Sequence, residues 1–420
     1  MHPMSIFRCL WLVALALPWG AQAQDAPLSL NQAVAQALAH NPNLAAIEAR
    51  LTGLQAAVEP AGVLPDPKAS LGVVNMPPSA PGLDRDPMTQ VVVGVTQPLP
   101  YPGRLDLQRQ IAQAKAAGGQ AQLAEARLAL AREVKLTWWH LAYLDRALAL
   151  HWQTTEELNR LVEGAEARYR VGKGFQGDVW LARSERARID PTIAALQAQR
   201  AGAQAQLAAL LDLPPNTPIM LPDRDLPPLP AHVEPTPPMA KALQARPLLM
   251  AAAAEIAGAR AGVGLADSAW IPTFDLGASY GIRSGNRRDL ASITLSATLP
   301  LHGSSRQVPL LDQARSEQSA AGHRRHQAEN RVRAEVIALV AELNRYLATV
   351  ADYDERILPA AQGTVTAMEA AYGVGKVDFL NLVRARLTQL SDTVMALRAR
   401  ILAFQAQARL DAAVGQEVTP

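Results

Sequence analysis

The chain has 420 residues, and its composition excludes several classes of protein. Hydrophobic residues make up 49% but aromatic residues only 5%, so small and aliphatic side chains dominate, as is typical of long helices in close contact. A net charge of +2 is too small for a nucleic-acid-binding protein. The mean hydropathy of +0.00 excludes a bundle of membrane helices, and we expect no spanning helix after residue 30. A β-barrel is not excluded, because its strands alternate and average to neutral.

Residues 1–23 have the pattern of a secretory signal peptide. Arg8 precedes an apolar run over residues 9–19, and Ala21-Gln22-Ala23 offers a cleavage site. Cleavage there removes the only cysteine, so the mature chain is expected to hold no disulfide and no thiolate site. The position of that cysteine does not fit a lipoprotein signal, so we expect no lipid anchor.

The chain repeats itself once, at a spacing of about 205 residues. Four landmarks recur in order: Asn41-Pro42 as Arg246-Pro247, 64–67 as 271–274, Pro98-Leu99 as Pro300-Leu301, and 169–173 as 372–376. We therefore divide the mature chain into a first repeat, 24–211, a linker, 212–238, a second repeat, 239–415, and a tail, 416–420. The linker contains ten prolines, which predicts an extended crossover.

Each repeat is predicted to begin with a pair of short helices. In the first repeat, Ser29 and Gln32 fit a capping box, and Asn41-Pro42 ends one helix and starts the next. Two strands follow in each repeat, at about 67–76 and 89–98, then at about 273–282 and 290–299. The second pair alternates apolar and polar residues over about the ten positions that a tilted membrane strand needs. A soluble sandwich strand would alternate in the same way.

Two long helices complete each repeat, at about 103–170 and 177–211, then at about 304–371 and 378–411. Apolar residues recur on two heptad positions along them, which predicts antiparallel coiled-coil pairs. A helix over 103–170 would be about 100 Å long and would have to project from any compact domain. Asp190-Pro191 predicts a kink in the second of these helices.

Four strands are too few to close a membrane barrel, and open strand edges cannot stay unpaired in lipid. The barrel must therefore be shared between chains. Two chains would give eight strands and a filled interior, whereas three would give twelve and room for a lumen. The alternative from a different class is a surface-anchored structural coiled-coil protein, but such a protein would carry one strand block rather than two at equivalent positions.

The tandem repeat and the Pro-rich junction, together with three motifs, resemble the TolC-like outer-membrane efflux proteins over the whole mature chain. The motifs are Gln97-Pro98-Leu99, Pro102-Gly103-Arg104 and Tyr-x-Val-Gly at 169–172 and 372–375. The resemblance implies a mainly helical homotrimer with a twelve-stranded barrel and a periplasmic helical tunnel. It also implies a passive exit duct with no cofactor, set in outer-membrane lipid, whose partners are a periplasmic adaptor and an inner-membrane transporter of the RND type.

Residues 64–67 and 97–104 look most like the heavy-metal branch, which exports copper, silver, or cobalt, zinc and cadmium. Multidrug efflux and type I protein secretion stay open as alternatives, because the lining chemistry is too generic to decide. A P-loop and an H-E-x-x-H motif are both missing from the sequence, and nothing else in it supports an enzyme.

The resemblance also implies a constriction at the helix-turn-helix tips. Asp178 and its repeat mate Asn381 take the aperture positions, and Arg384 stands where the family can place a second acid. We expect either a ring of Asp178 carboxylates paired with Arg384 across the seam, or Asp178 acting only as the cap of a helix after Gly177.

The turns themselves are expected to be formed by six residues, and the glycines among them are expected to supply positive φ. The same tips are where the family meets its adaptor. The six residues are Tyr169, Gly172, Lys173, Tyr372, Gly375 and Lys376.

Overall fold

The computed structural model describes residues 27–223 and 225–416. The predicted signal peptide, 1–23, and most of the predicted tail, residues 417–420, lie outside this range. The described chain is mainly helical and has a single four-stranded sheet. The same order of elements occurs twice along it: short helices, two strands, then long helices.

The elements of the first half run from α1 to α6. Its helices and strands are α1 Leu30–His40, α2 Pro42–Ala56, α3 Val58–Ala61, β1 Lys68–Val74, β2 Gln90–Leu99, α4 Arg104–Arg170, α5 Gln176–Ala187 and α6 Ile189–Leu210. The second half contains α7 Thr236–Ala245, α8 Pro247–Asp267, β3 Thr273–Ile282, β4 Leu290–Thr298, α9 Val308–Asp352, α10 Leu358–Gly373 and α11 Phe379–Ala413.

The start of the fold follows the local sequence signals. The Ser29 side chain accepts a bond from the backbone of Gln32 and the Gln32 side chain accepts one from the backbone of Ser29, which confirms the capping box. Asn41 ends α1 in an extended conformation and caps α2 through its side-chain oxygen. Pro42 then occupies the first position of α2, where its missing N–H would be unpaired anyway.

Prolines set the interruptions of the long helices. Pro191 cannot donate to the carbonyl of Ala187, and the predicted kink is confirmed as a break at Arg188 between α5 and α6. The helix expected over 177–211 is thus divided into the two segments α5 and α6. Likewise, the expected single helix over 304–371 contains wide π-helical turns at Gly303–Gln307 and Tyr353–Ile357. Each of these turns ends two residues before a proline, which removes one rung of the hydrogen-bond ladder.

The heptad stripes form the core. Leu141 and Leu144 on α4 and Val332 and Val336 on α9 are fully buried. Aromatic side chains join α4 to α11, since the ring of Trp139 stacks on that of Phe404, with centroids 4.3 Å apart.

The linker crosses this core in an extended form. Ile219 in its middle is only 5% exposed and packs among the core side chains. Further on, the amide of Asn344 bonds both the N–H and the C=O of Val233, at 2.9 Å each, as a strand neighbour would. The linker is therefore packed rather than loose.

One helical stretch within the described chain, Thr236–Trp270, is long and apolar enough to cross a membrane by length and composition alone, because it contains an 18-residue window with a mean hydropathy of 1.4. Its hydropathy comes largely from alanines in α8. Because the chain turns out of the helix at Arg246, between α7 and α8, this stretch is two helices rather than one straight rod.

Candidate functional site

The sheet has the order β1-β2-β3-β4, with every neighbouring pair antiparallel. Its outer strands, β1 and β4, each have one unpaired edge within the described chain. An unpaired edge presents a row of free N–H and C=O groups, which a membrane cannot satisfy. In a membrane, these two edges of the described sheet would therefore need partners.

The register sorts the side chains of all four strands onto two contrasting faces. On one face, Val93 lies opposite Tyr280, and Leu276 lies opposite Leu295. All four of these side chains are 46% exposed or more. On the other face, hydroxyl and glycine positions lie opposite one another, as Gly277 does with Thr294 and Ser279 with Ser292. One face is thus suited to lipid and the other to water.

The polar face carries no net charge. Lys68 and Asp275 are the charged residues within the four strands. Both lie on the polar face, because Lys68 is opposite Thr96 and Asp275 is opposite Ser296. A lumen built from this face would favour neither cations nor anions.

The motifs that carry the resemblance to the heavy-metal branch form the joint between the sheet and the helices. The side chain of Gln97 donates to the carbonyl of Pro65 at 2.8 Å and so ties the two motif segments together. The hydroxyl of the buried Tyr101 pairs with that of Ser268, just before β3. Gly103, with φ of 95°, turns the chain into α4. These residues therefore have a structural role in the joint.

The opposite ends of the long helices form two hairpin tips. Gly172 and Gly375 have φ values of 70° and 75°, as the sequence predicts. Each turn is closed by two backbone bonds, to Arg168 and Tyr169 in the first tip and to Ala371 and Tyr372 in the second. Such left-handed positions favour glycine, because any side chain would meet the following carbonyl.

The two tips of one chain contact each other through Arg168 and Tyr372. The guanidinium of Arg168 donates to the carbonyl of Tyr372 at 3.2 Å and lies 4.6 Å from the centre of its ring. Burial raises the pKa of the Tyr372 hydroxyl; the nearby Arg168 charge opposes this shift and the Asp178 carboxylate adds to it. The structure thus brings Asp178 and Tyr372 into one tip cluster.

The other predicted aperture residues lie outside this cluster. Asp178 is half-buried, whereas Asn381 and Arg384 are exposed on α11. Between described residues, no hydrogen bond or ion pair joins Asn381 or Arg384 to Asp178. The alternative role of Asp178 as a helix cap is wrong: α5 already begins at Gln176 and has no side-chain cap. Its place in the first turn still favours a carboxylate, because the helix dipole is positive there.

The turn residues Tyr169, Lys173 and Lys376 are exposed at the tips. Three further apolar side chains stand beside them, with exposed fractions of 67% for Val171, 79% for Phe175 and 71% for Val374. Sequence reasoning used Val171 and Val374 only as members of the Tyr-x-Val-Gly motif and did not single out Phe175.

Each hairpin is also held by an ion pair that sequence reasoning missed. Arg183 binds Glu166 at 2.5 Å in the first hairpin, and Arg386 binds Glu369 in the second. Arg386 also reaches Glu157 on α4 at 3.4 Å and so joins the two hairpins of the chain. The spacing of 17 residues within each pair, repeated in both halves, was the available signal.

Within the described chain, no group of three or more His, Cys, Asp or Glu side chains is arranged to hold a metal ion. His323 and His326 lie on an exposed face of α9. The arginines between them are paired with carboxylates, Arg324 with Glu255 and Arg325 with Glu329. This segment is a solvated helix face.

The comparisons with known proteins agree with this architecture. The family model described as outer membrane efflux protein matches residues 33–212 and 239–416. The chain therefore belongs to the outer membrane efflux protein family, and it is an efflux channel of the outer membrane. A search of the curated proteins finds no significant match.

Solved structures show the same fold at low sequence identity. VceC from Vibrio cholerae is 20% identical, with a TM-score of 0.78 over 92% of this chain and 96% of that one. The channel protein CusC is 16% identical, with a TM-score of 0.77 over 93% and 92% of the two chains. The open state of MtrE from Neisseria gonorrhoeae is 18% identical, with a TM-score of 0.72 over 92% and 89%.

Proposed function

We propose that three copies of this chain form the passive outer-membrane duct of a tripartite efflux pump, and that the chain is not an enzyme. The observation that carries the proposal is the four-stranded sheet with two open edges, one apolar face and one polar face. Three such sheets joined edge to edge give twelve strands, with the polar faces around a water-filled lumen. The division into repeats at 24–211 and 239–415 belongs to the same proposal.

The helices extend the duct into the periplasm. At 1.5 Å per residue, the 67 residues of α4 span about 100 Å, far more than a bilayer. The tips would meet the periplasmic adaptor, which in turn holds an RND-type transporter in the inner membrane. The exposed Val171, Phe175 and Val374 support a protein contact there, because a cluster of apolar side chains in water favours burial by a partner.

The aperture is proposed to lie at the same tips, around Asp178, Asn381 and Arg384. In a trimer, Asp178 would supply three carboxylates around the axis, which attract cations. Arg384 has no ionic partner within the described chain. A salt bridge from Arg384 to Asp178 of the neighbouring subunit would neutralise both and hold the closed state.

Heavy-metal cations are the proposed substrate, on the resemblance of residues 64–67 and 97–104 to that branch. The neutral polar face of the sheet favours multidrug or protein export equally well, because it selects for neither sign of charge. Drugs and secreted proteins are therefore the alternative substrates of the same duct.

A deletion strain tests both levels of the proposal. Loss of the chain is expected to raise sensitivity to copper, silver, zinc or cobalt, and the full-length gene is expected to restore resistance. Sensitivity to dyes alone would refute the metal substrate but keep the duct. A purified protein that forms no ion-conducting pore in a planar bilayer would refute the duct itself.

A further inference from the structure

We propose that the seam between subunits is formed by the exposed face of α5 carrying Trp180 and Arg183, which docks into a groove between α10 and α11 of the neighbouring chain. The occupant of the groove is thus a second copy of this chain. The inference rests on the proposed trimer and names the surfaces that build it.

The two hairpins of the chain are equivalent in their ion pairs and in their turns. The ion pairs Glu166–Arg183 and Glu369–Arg386 each join the two helices of one hairpin. Each residue of the second pair lies 203 positions after its counterpart in the first. The positive-φ glycines of the two tips have the same offset. Positions in the first hairpin can therefore be mapped onto the second by adding 203.

Within one chain, α11 of the second hairpin lies on the first hairpin. Val383 is 1% exposed and packs in a cluster with Ala165 and Ala182. One turn further along, Arg386 reaches Glu157 at 3.4 Å. The face of α11 that carries Val383 and Arg386 is thus the face that binds the first hairpin.

The equivalent face of the first hairpin is exposed in the part of the chain that the structure describes. The repeat mates of Val383 and Arg386 are Trp180 and Arg183 on α5. Trp180 is 60% exposed, and the Arg183 guanidinium lies 5.5 Å from the centre of its ring. A tryptophan left in water forgoes a large hydrophobic gain, so a partner surface is expected here.

The second hairpin has a groove that could receive the α5 face with Trp180 and Arg183. A groove of about 670 Å³ lies between α10 and α11, with Ala361, Thr364 and Ala385 in its wall. By the same offset these residues are the mates of Leu158, Leu161 and Ala182, which α11 covers within the chain. The groove is therefore the counterpart of an interface that is already occupied once in each subunit.

The groove has small side chains where a large one has to fit. Inside the chain, Leu161 packs in one cluster with Val383, and Leu158 packs in another with Leu387. Across the proposed seam, the small Ala361 and Thr364 stand in place of these leucines and leave room for the larger Trp180.

Cross-linking tests the docking directly, because the only native cysteine, Cys9, lies in the predicted signal peptide. Glu157 is the mate of Ala360, which lines the groove. Arg183→Cys with Ala360→Cys should therefore be bridged between subunits by a short bifunctional thiol reagent in membranes, giving dimer and trimer bands on a denaturing gel. The matched control, Glu157→Cys with Arg386→Cys, should be bridged within one chain and stay at the mass of a monomer.

Two results would overturn the inference, and they differ in what else they refute. If the control pair reacts and Arg183→Cys with Ala360→Cys stays monomeric, while an amine-reactive reagent still captures trimers, the trimer stands and this seam is wrong. If the amine-reactive reagent captures no trimer of the unmodified chain, the proposed assembly fails as well.

A second variant does not depend on cross-linking. Trp180→Ala should raise the protein concentration at which purified trimers dissociate by at least about tenfold. Trp152→Ala, which removes another half-exposed tryptophan from α4, should leave it unchanged. Equal dissociation of the two variants would contradict a seam at Trp180.

Discussion

Arg246 is a buried tie between the two halves of the chain, and Arg246→Met should destabilise the protein more than the loss of a surface arginine. Its side chain is only 8% exposed. The guanidinium binds both carboxylate oxygens of Glu125 on α4, with contacts of 2.7 to 3.1 Å, and donates to the carbonyl of Ala413 at the end of α11 at 2.6 Å. One side chain thus holds three helical segments together.

The expected loss is about 2–4 kcal/mol of unfolding free energy. A hydrogen bond from a charged group contributes about 1.5–3 kcal/mol, and the Ala413 carbonyl would lose such a partner. Removing one partner of a fully buried ion pair costs about 3–5 kcal/mol. The cost is lower here because the side chain of Glu125 is 30% exposed and regains water when Arg246 is gone.

The assay is guanidinium unfolding of the detergent-solubilised protein, followed by its helical circular dichroism at a fixed protein concentration. The control is Arg127→Met, because Arg127 pairs with Glu48 at the surface, where the two side chains are 53% and 46% exposed, so the loss should be below about 1 kcal/mol. Adding Glu125→Gln to Arg246→Met should cost less than the sum of the single changes, because the two residues are in contact. Equal unfolding midpoints for Arg246→Met and Arg127→Met would refute the reasoning.

Three further predictions concern the tips and the pH dependence. Gly172→Ala should cost about 1 kcal/mol and speed hydrogen exchange at the tip, whereas Gly164→Ala, inside α4 with open space around it, should stabilise by about 0.5–1 kcal/mol. Burial raises the pKa of the Asp411 carboxyl against the pull of nearby lysines. The folded chain therefore holds that proton more tightly than the unfolded chain, so the contribution of Asp411 to stability should be lost as the pH rises above about 4, the pKa of a free aspartate. Asp411→Asn should remove this pH dependence from the unfolding midpoints. Arg384→Glu should raise the passive conductance of purified pores in planar bilayers, and an unchanged closed pore would count against pairing with Asp178.

The local features of the chain could be predicted because they depend on neighbours in sequence. The alternation of β3 and β4 needs only the two-residue period of a strand, and the structure places Leu276 and Leu295 together on one face as expected. Positive φ at Gly172 and Gly375 follows from turn chemistry alone. Apolar stripes at heptad spacing likewise predicted which sides of the long helices are buried.

The partners of individual side chains could not be predicted, because they depend on which helices become neighbours. Nothing in the sequence around Arg386 indicates that it binds Glu157, more than 200 residues away, in addition to Glu369. The role of Asp178 as a cap failed for a local reason instead, because α5 starts at Gln176 and Asp178 lies inside its first turn.

The sequence by itself determined the class of elements, their order and the two faces of the sheet, since hydrophobic periodicity and turn residues act within a few positions along the chain. Only the tertiary structure decided that Gln97 ties its motif to Pro65, that Arg246 joins both halves and that Trp180 is left exposed beside Arg183. The physical reason is distance along the chain: periodicity fixes which way a side chain points, but the packing of whole helices fixes what it meets.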